Sequence, residues 1–217
     1  MTRKGSLLRE LPILVLVALV VSLLIKTFLV QFFFIPSGSM ENTLQINDRV
    51  AVNKVPFIGR TIHRGDVVVF RDPDNWLPEP YAEDSNQVVT KIREGLVALG
   101  VLPNPAKQYL VKRVIGIAGD NVICCSNNKK LTINGQELNE PYIFKGNSPS
   151  DSEFNVTVPA GKIWVMGDHR AASADSRFHQ EDINHGMVPL SKVTGRAFAV
   201  IWPLGHAGIV ASTNPLK

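Results

Sequence analysis

Apolar and polar positions divide the chain into two unlike parts. From Leu11 to Ile35 the stretch LPILVLVALVVSLLIKTFLVQFFFI is apolar almost throughout, and Lys26 is its only charge. Such a run is long enough to cross a bilayer as a helix. Arg3, Lys4 and Arg9 precede it, so the positive-inside rule leaves the N-terminus in the cytoplasm and sends the remainder across. The run exceeds the apolar region of a removable leader and no A-x-A site follows it, which predicts an uncleaved single-pass anchor. Lys26 then snorkels to the outer interface. The expected organisation is a cytoplasmic segment over 1–10, a transmembrane anchor over 11–35 and an exported domain over 36–217.

Beyond the anchor the pattern changes to short apolar stretches separated by turn signals, which predicts a mostly β domain. Strands are expected over Arg49 to Asn53, Asp66 to Phe70, Tyr109 to Ile117, Asn121 to Cys125, Lys130 to Ile133, Asn155 to Val158, Lys162 to Met166 and Lys192 to Trp202. Asn134-Gly135 marks a hairpin, and Pro159-Ala160-Gly161 a second turn of that kind. The segment from Asp72 to Gln108 breaks the pattern. Its centre places Val88, Ile92, Leu96 and Leu99 at helical spacing, which predicts an inserted, partly helical excursion packed on the β core, with a lid or membrane-surface role as the alternative. Phe198 and Trp202 fall in the last long strand and are expected in the core; Trp76, in a loop, is the better candidate for a membrane interface.

Charge narrows the partners. Net charge is +4 with pI near 9.1, yet no basic block occurs, so no nucleic acid is expected. The two cysteines are neighbours, Cys124 and Cys125, and lack the paired spacing of a structural zinc site. Successive side chains on a strand point to opposite faces, so two separate thiols are the expectation and a vicinal disulfide the alternative.

Chemistry concentrates behind the anchor in FFFIPSGSMENTL, where Ser37 and Ser39 flank Gly38. A serine hydroxyl attacks a carbonyl only with a base beside it, usually His and less often Lys. Asp168-His169 and Asp175 invite a Ser-His-Asp reading, but adjacent residues hold each other poorly in the triad arrangement; His63, His179, His185 and His206 sit in polar, turn-like surroundings. Lys112 differs, because it interrupts YLVKRVIGI and shares a strand face with Leu110 and Val114. Burial lowers a lysine pKa by up to about 3 to 5 units, enough to make it a base near neutrality. Periodicity alone leaves a solvated face equally open.

FIPSGSMENTL, RGDVVVF, YLVKRVIGIAGD and GDHRAASADSR, in that order behind an N-terminal apolar segment, resemble the boxes of the type I (leader) signal peptidases. The resemblance implies a mostly β, membrane-bound serine endopeptidase that removes signal peptides from exported preproteins with a Ser/Lys dyad, selecting small residues at positions one and three before the cut. Carried onto this chain, it implies Ser39 as nucleophile, Lys112 as general base, and an oxyanion hole from the Ser37 hydroxyl and the Ser39 N–H. It also implies Ser173 as the group orienting the lysine, Asp175 and Arg177 as a structural ion pair, and Phe33, Ile35, Met40 and Leu44 around the substrate pockets. No metal or cofactor is implied. Expected partners are preprotein signal peptides, the lipid bilayer and the secretion translocon, at the plasma membrane with the catalytic domain outside.

Two departures stand out. Asn42 occupies the place of the serine box's usual proline, and His169, Ala171 and Ala172 replace Asn, Asp and Asn in a common form of the last box. A self-cleaving repressor-type Ser/Lys protease and a non-catalytic anchored binding domain are the rival readings. The apolar segment argues against the first, and the joint presence of Ser37, Ser39, Lys112 and Ser173 against the second.

Overall fold

The computed structural model describes residues 4–54, 62–78 and 108–216. The apolar run is not one element. Helix α1 covers Lys4–Phe28, and β1, Val30–Phe34, then pairs antiparallel with β2, Arg49–Asn53. Aromatic and β-branched residues favour a pleated, half-buried surface, and VQFFF alternates accordingly. Phe33 packs edge-on against Tyr109 while Phe32 and Phe34 face outward. Hydropathy cannot mark this change of element, because both parts are equally apolar. Among the described residues no helix is long and apolar enough to cross a membrane.

The remaining strands are β3, Val67–Arg71; β4, Tyr109–Gly116; β5, Asn121–Cys124; β6, Leu131–Ile133; β7, Gln136–Glu137; β8, Phe154–Thr157; β9, Lys162–Met166; β10, Val188–Pro189; β11, Val193–Trp202; and β12, Gly208–Ile209. Each of the eight expected strands exists, with ends unchanged or moved by one residue. Strands β7, β10 and β12 hold two residues each, too few for alternation to reveal. The larger sheet runs β1-β2-β11-β3-β4-β9-β10, with β12 on β11, and the smaller runs β7-β6-β5-β8. The chain is mostly β, as expected.

Asn134 and Gly135, at φ +52° and +82°, close the β6–β7 hairpin as the sequence predicts. The turn at Pro159-Ala160-Gly161 also forms, with Lys162 N–H donating to the Pro159 carbonyl. It joins strands of different sheets and so makes a crossover, not the hairpin expected. Local turn chemistry specifies a reversal but not the partner of the strand that follows.

One core cluster lies under the smaller sheet, where Val122, Leu131, Ile133 and Phe154 meet Trp164 and Met166. A second joins Ile35, Met40 and Leu44 to Val50, Val52, Val67, Val69, Ala197 and Val200. The third contains Val68, Phe70, Leu110, Val114, Ile163 and Val165.

Three expectations are corrected. Trp76 is 7% exposed and stacks flat on His179, so it belongs to the third cluster and not to an interface. Trp202, expected in the core, is 52% exposed, because β11 runs past the edge of the cluster before it ends. Cys124 and Cys125 are disulfide-bonded to each other. Strand β5 stops at Cys124, so strand alternation no longer places Cys125 on the opposite face. The expected helix around Val88 to Leu99 lies outside the described residues.

Candidate active site

The loop from Ile35 to Asp48 is pinned at its neck, where Ile35 N–H donates to the Asp48 carbonyl and Asn47 N–H donates back to Ile35. Burial of Met40 and Leu44 in the second cluster draws the loop onto the sheet, and the turns Gly38–Glu41 and Met40–Leu44 fix its course. Asn42 has φ +87° and donates its side-chain amide to the Tyr142 carbonyl. Proline is locked near φ −65°, so the residue replacing the usual proline takes a backbone conformation that proline cannot adopt.

This loop brings Ser39 to β4. Lys112 Nζ lies 2.6 Å from Ser39 Oγ across 73 residues of sequence, and both are buried, at 4% and 7% exposure. The flanking Leu110 and Val114 belong to the third cluster, so the apolar strand face anticipated for Lys112 exists. Burial lowers the Lys112 pKa from its ordinary 10.5 to about 8; Asp175 and Asp168 oppose the shift, and Arg177 adds to it. An amine with that pKa has a substantial neutral fraction near neutrality and can accept the proton of a hydroxyl at hydrogen-bond range.

The segment after β9 encloses the pair. His169 N–H donates to the Ser39 carbonyl at 3.1 Å. A Cβ on Gly167 would sit 2.4 Å from that carbonyl oxygen and 2.3 Å from Ser173 Oγ, so only glycine fits. Ser173 donates its hydroxyl to Asp175 at 2.7 Å. Asp175 also accepts from Gly167 N–H and from the Arg177 guanidinium at 2.8 Å, all buried. The Asp175–Arg177 ion pair is thus present, and both groups act electrostatically on Lys112.

The other expected residues are placed less directly. Ser37 is exposed, two positions before Ser39 on the same loop. Phe33 is half-buried against the second cluster. Ile35, Met40 and Leu44 are 3%, 1% and 0% exposed, so they back the loop from beneath. The His169 ring turns to Glu41, not to Ser39.

Two arrangements escaped sequence reasoning. Arg113 donates Nε and Nη2 to the two oxygens of Asp168 at 2.8 and 2.7 Å, reaches Thr43 Oγ1 and the Gly65 carbonyl, and lies 4.1 Å over the Tyr142 ring. An arginine inside an apolar strand was the available signal. Gly65, at φ +87°, admits no side chain, since a Cβ would meet the Thr213 carbonyl at 1.9 Å. The second arrangement is the pairing of Glu41 with His169, whose ring stacks on Phe144; nothing local announced it.

Residues 8–202 match the family model described as "Signal peptidase, peptidase S26". The chain is 38% identical over 232 residues to signal peptidase I of Mycobacterium tuberculosis (strain ATCC 25618 / H37Rv), covering 98% of this chain and 78% of that protein. It is 33% identical over 202 residues to probable signal peptidase I-2 of Synechocystis sp. (strain ATCC 27184 / PCC 6803 / Kazusa), covering 93% and 76%. A solved signal peptidase I from Enterococcus faecalis V583 aligns with a TM-score of 0.38 at 24% identity, covering 63% of this chain and 97% of that one.

Proposed function

The chain belongs to the signal peptidase S26 family and is a serine peptidase of the signal peptidase I type acting on signal peptides, and from that premise we propose that it cleaves preproteins at the outer membrane face by a Ser39/Lys112 dyad. The observation that carries the dyad is the 2.6 Å approach of Lys112 Nζ to Ser39 Oγ in a buried site. Neutral Lys112 takes the Ser39 proton as the oxygen attacks the scissile carbonyl. The tetrahedral oxyanion is met by the Ser39 N–H and the Ser37 hydroxyl, donors worth most where they are preorganised. The lysine ammonium then protonates the leaving amine. Water, activated by the same lysine, hydrolyses the acyl-enzyme and frees Ser39. Ser173 accepts from the ammonium and restrains its swing while Asp175 holds the serine.

Substrate binds extended, with alternate side chains directed into pockets formed by Phe33 and by the loop that Ile35, Met40 and Leu44 support; small residues at positions one and three before the cut follow from this pattern. The apolar run beginning at Leu11 anchors the protein in the plasma membrane, with residues 1–10 cytoplasmic and the catalytic domain, residues 36–217, outside. Phe34 and Trp202 flank Arg49 on opposite sides of β2. With Phe32, Leu204 and Ile209, from 54% to 89% exposed, they offer apolar contact to lipid where the anchor enters the domain, and the translocon is the natural neighbour there.

The test is cleavage of a purified preprotein in detergent or vesicles. Wild type should release the mature protein while folded Ser39→Ala and Lys112→Met should not. A Ser39→Ala enzyme that still cleaves would overturn the assignment. Loss of activity in His169→Ala to the level of Ser39→Ala would favour a histidine base.

A further inference from the structure

Glu41 is two residues beyond Ser39, and its carboxylate folds back over the turn that carries the nucleophile. A Cβ on Gly38 would meet Glu41 Oε2 at 2.8 Å, so the carboxylate packs on the residue between Ser37 and Ser39. A carboxylate is acceptor-only, and charge-assisted hydrogen bonds are about twice as strong as neutral ones. This close to Gly38 its charge opposes an oxyanion formed at the turn, and a carboxylate released from its restraint can rotate to accept from the neighbouring Ser37 hydroxyl or Ser39 N–H.

His169 restrains it. The ring Nδ1 lies 2.9 Å from Glu41 Oε2, one face stacks on Phe144 with centroids 4.1 Å apart, and the His169 backbone N–H holds the Ser39 carbonyl. The ring is 19% exposed and the carboxylate 32%, so the pair stands at the rim of the site, open to solvent but fixed in direction. Two contacts from one residue, the ring to Glu41 and the backbone N–H to Ser39, thus reach the nucleophile's turn from far along the chain, while Phe144 holds the ring's face.

We propose that His169 is a positioning residue that fixes the Glu41 carboxylate in place beside Gly38, so that it does not rotate onto the oxyanion donors. The proposal rests on the Ser39/Lys112 reading, and it predicts coupling between two side chains that touch neither reacting atom. His169→Ala frees the carboxylate and should lower kcat by about fivefold to tenfold, the scale of one unit charge acting through a partly solvated medium, with KM within about twofold because uniform binding is untouched. Glu41→Gln alone removes the charge and should change kcat little. In the double variant His169→Ala/Glu41→Gln, kcat should return to within about twofold of wild type, a rescue that a merely structural histidine would not give.

The assay is single-turnover and steady-state cleavage of a preprotein, with thermal melts of every variant. His169→Gln, which keeps a donor without the imidazole, provides a second background should His169→Ala fail to fold. It should show a smaller loss, also relieved by Glu41→Gln. A loss that Glu41→Gln leaves unchanged in both backgrounds, or no loss at all, overturns the proposal. Persistent cleavage by Ser39→Ala would instead sink the dyad reading, so the two failures are distinguishable.

Discussion

Lys112 and Arg113 are consecutive residues of β4, 4% and 1% exposed, and their burial has opposite consequences. Arg113 spends its guanidinium on both oxygens of Asp168, on Thr43 and on the Gly65 carbonyl, and its flat face on Tyr142. Arginine cannot deprotonate and its planar fork matches a carboxylate, so this side of the strand is a closed structural joint between β4, the serine loop and the segment after β9. Lys112 has a hydroxyl at its tip, with Asp175 and Asp168 acting only through space. Desolvation outweighs that attraction and lowers the amine's pKa to about 8, which suits the base proposed for it. On the proposed mechanism, a buried cation is a clamp or a catalyst according to whether its nearest partner carries the opposite charge.

Breaking the catalytic side should have the largest effect. Lys112→Met and Ser39→Ala should each lower kcat by about 10⁴-fold or more, because members of such a unit fail together; preprotein cleavage measures it, and retention of a tenth of the activity in Lys112→Met would erase the contrast. On the clamp side, Asp168→Asn should destabilise the fold by about 3 to 5 kcal/mol, since it leaves the buried guanidinium without its counter-charge. Urea denaturation checks this, with the loss expected in stability first and in activity only as the fold fails.

Next in size is Ser37→Ala, which on the proposed mechanism removes one oxyanion donor and should lower kcat by about 10²- to 10³-fold with an unchanged melt. Smaller, but most diagnostic, is the stability of Lys112→Met. The folded state binds the lysine proton more weakly than the unfolded chain, so the penalty is full below pH 8 and is relieved as pH rises toward 10.5. At pH 7 the methionine variant should be more stable by up to about 3 kcal/mol, because each tenfold loss of proton affinity on folding costs roughly 1.4 kcal/mol, and this advantage should shrink toward pH 10. A constant difference would mean that Lys112 is not desolvated. The same titration predicts an acidic limb in kcat/KM with a midpoint near 8.

Both halves of this contrast were partly legible in YLVKRVIGI. Alternation put Lys112 among apolar neighbours and Arg113 on the other face, and the resemblance of four ordered boxes singled out Ser39 and Lys112. Burial of both faces of β4 was not legible, because it depends on what the sheet packs against. Asp168 as the partner of Arg113, and Glu41 as that of His169, lie 55 and 128 residues away. No local pattern carries such pairings.

The sequence by itself determined the mostly β character, eight of the twelve strands among the described residues and the Asn134-Gly135 hairpin, and it nominated Ser39 and Lys112 as the reactive pair, through side-chain periodicity, turn stereochemistry and motif order. Tertiary structure decided the rest. It split the apolar run at Phe28, joined Cys124 to Cys125, buried Trp76 and exposed Trp202. It also closed the gap between Ser39 and Lys112. Desolvation and charge pairing are sums over everything within a few ångströms in space, and chain order does not fix which groups those are.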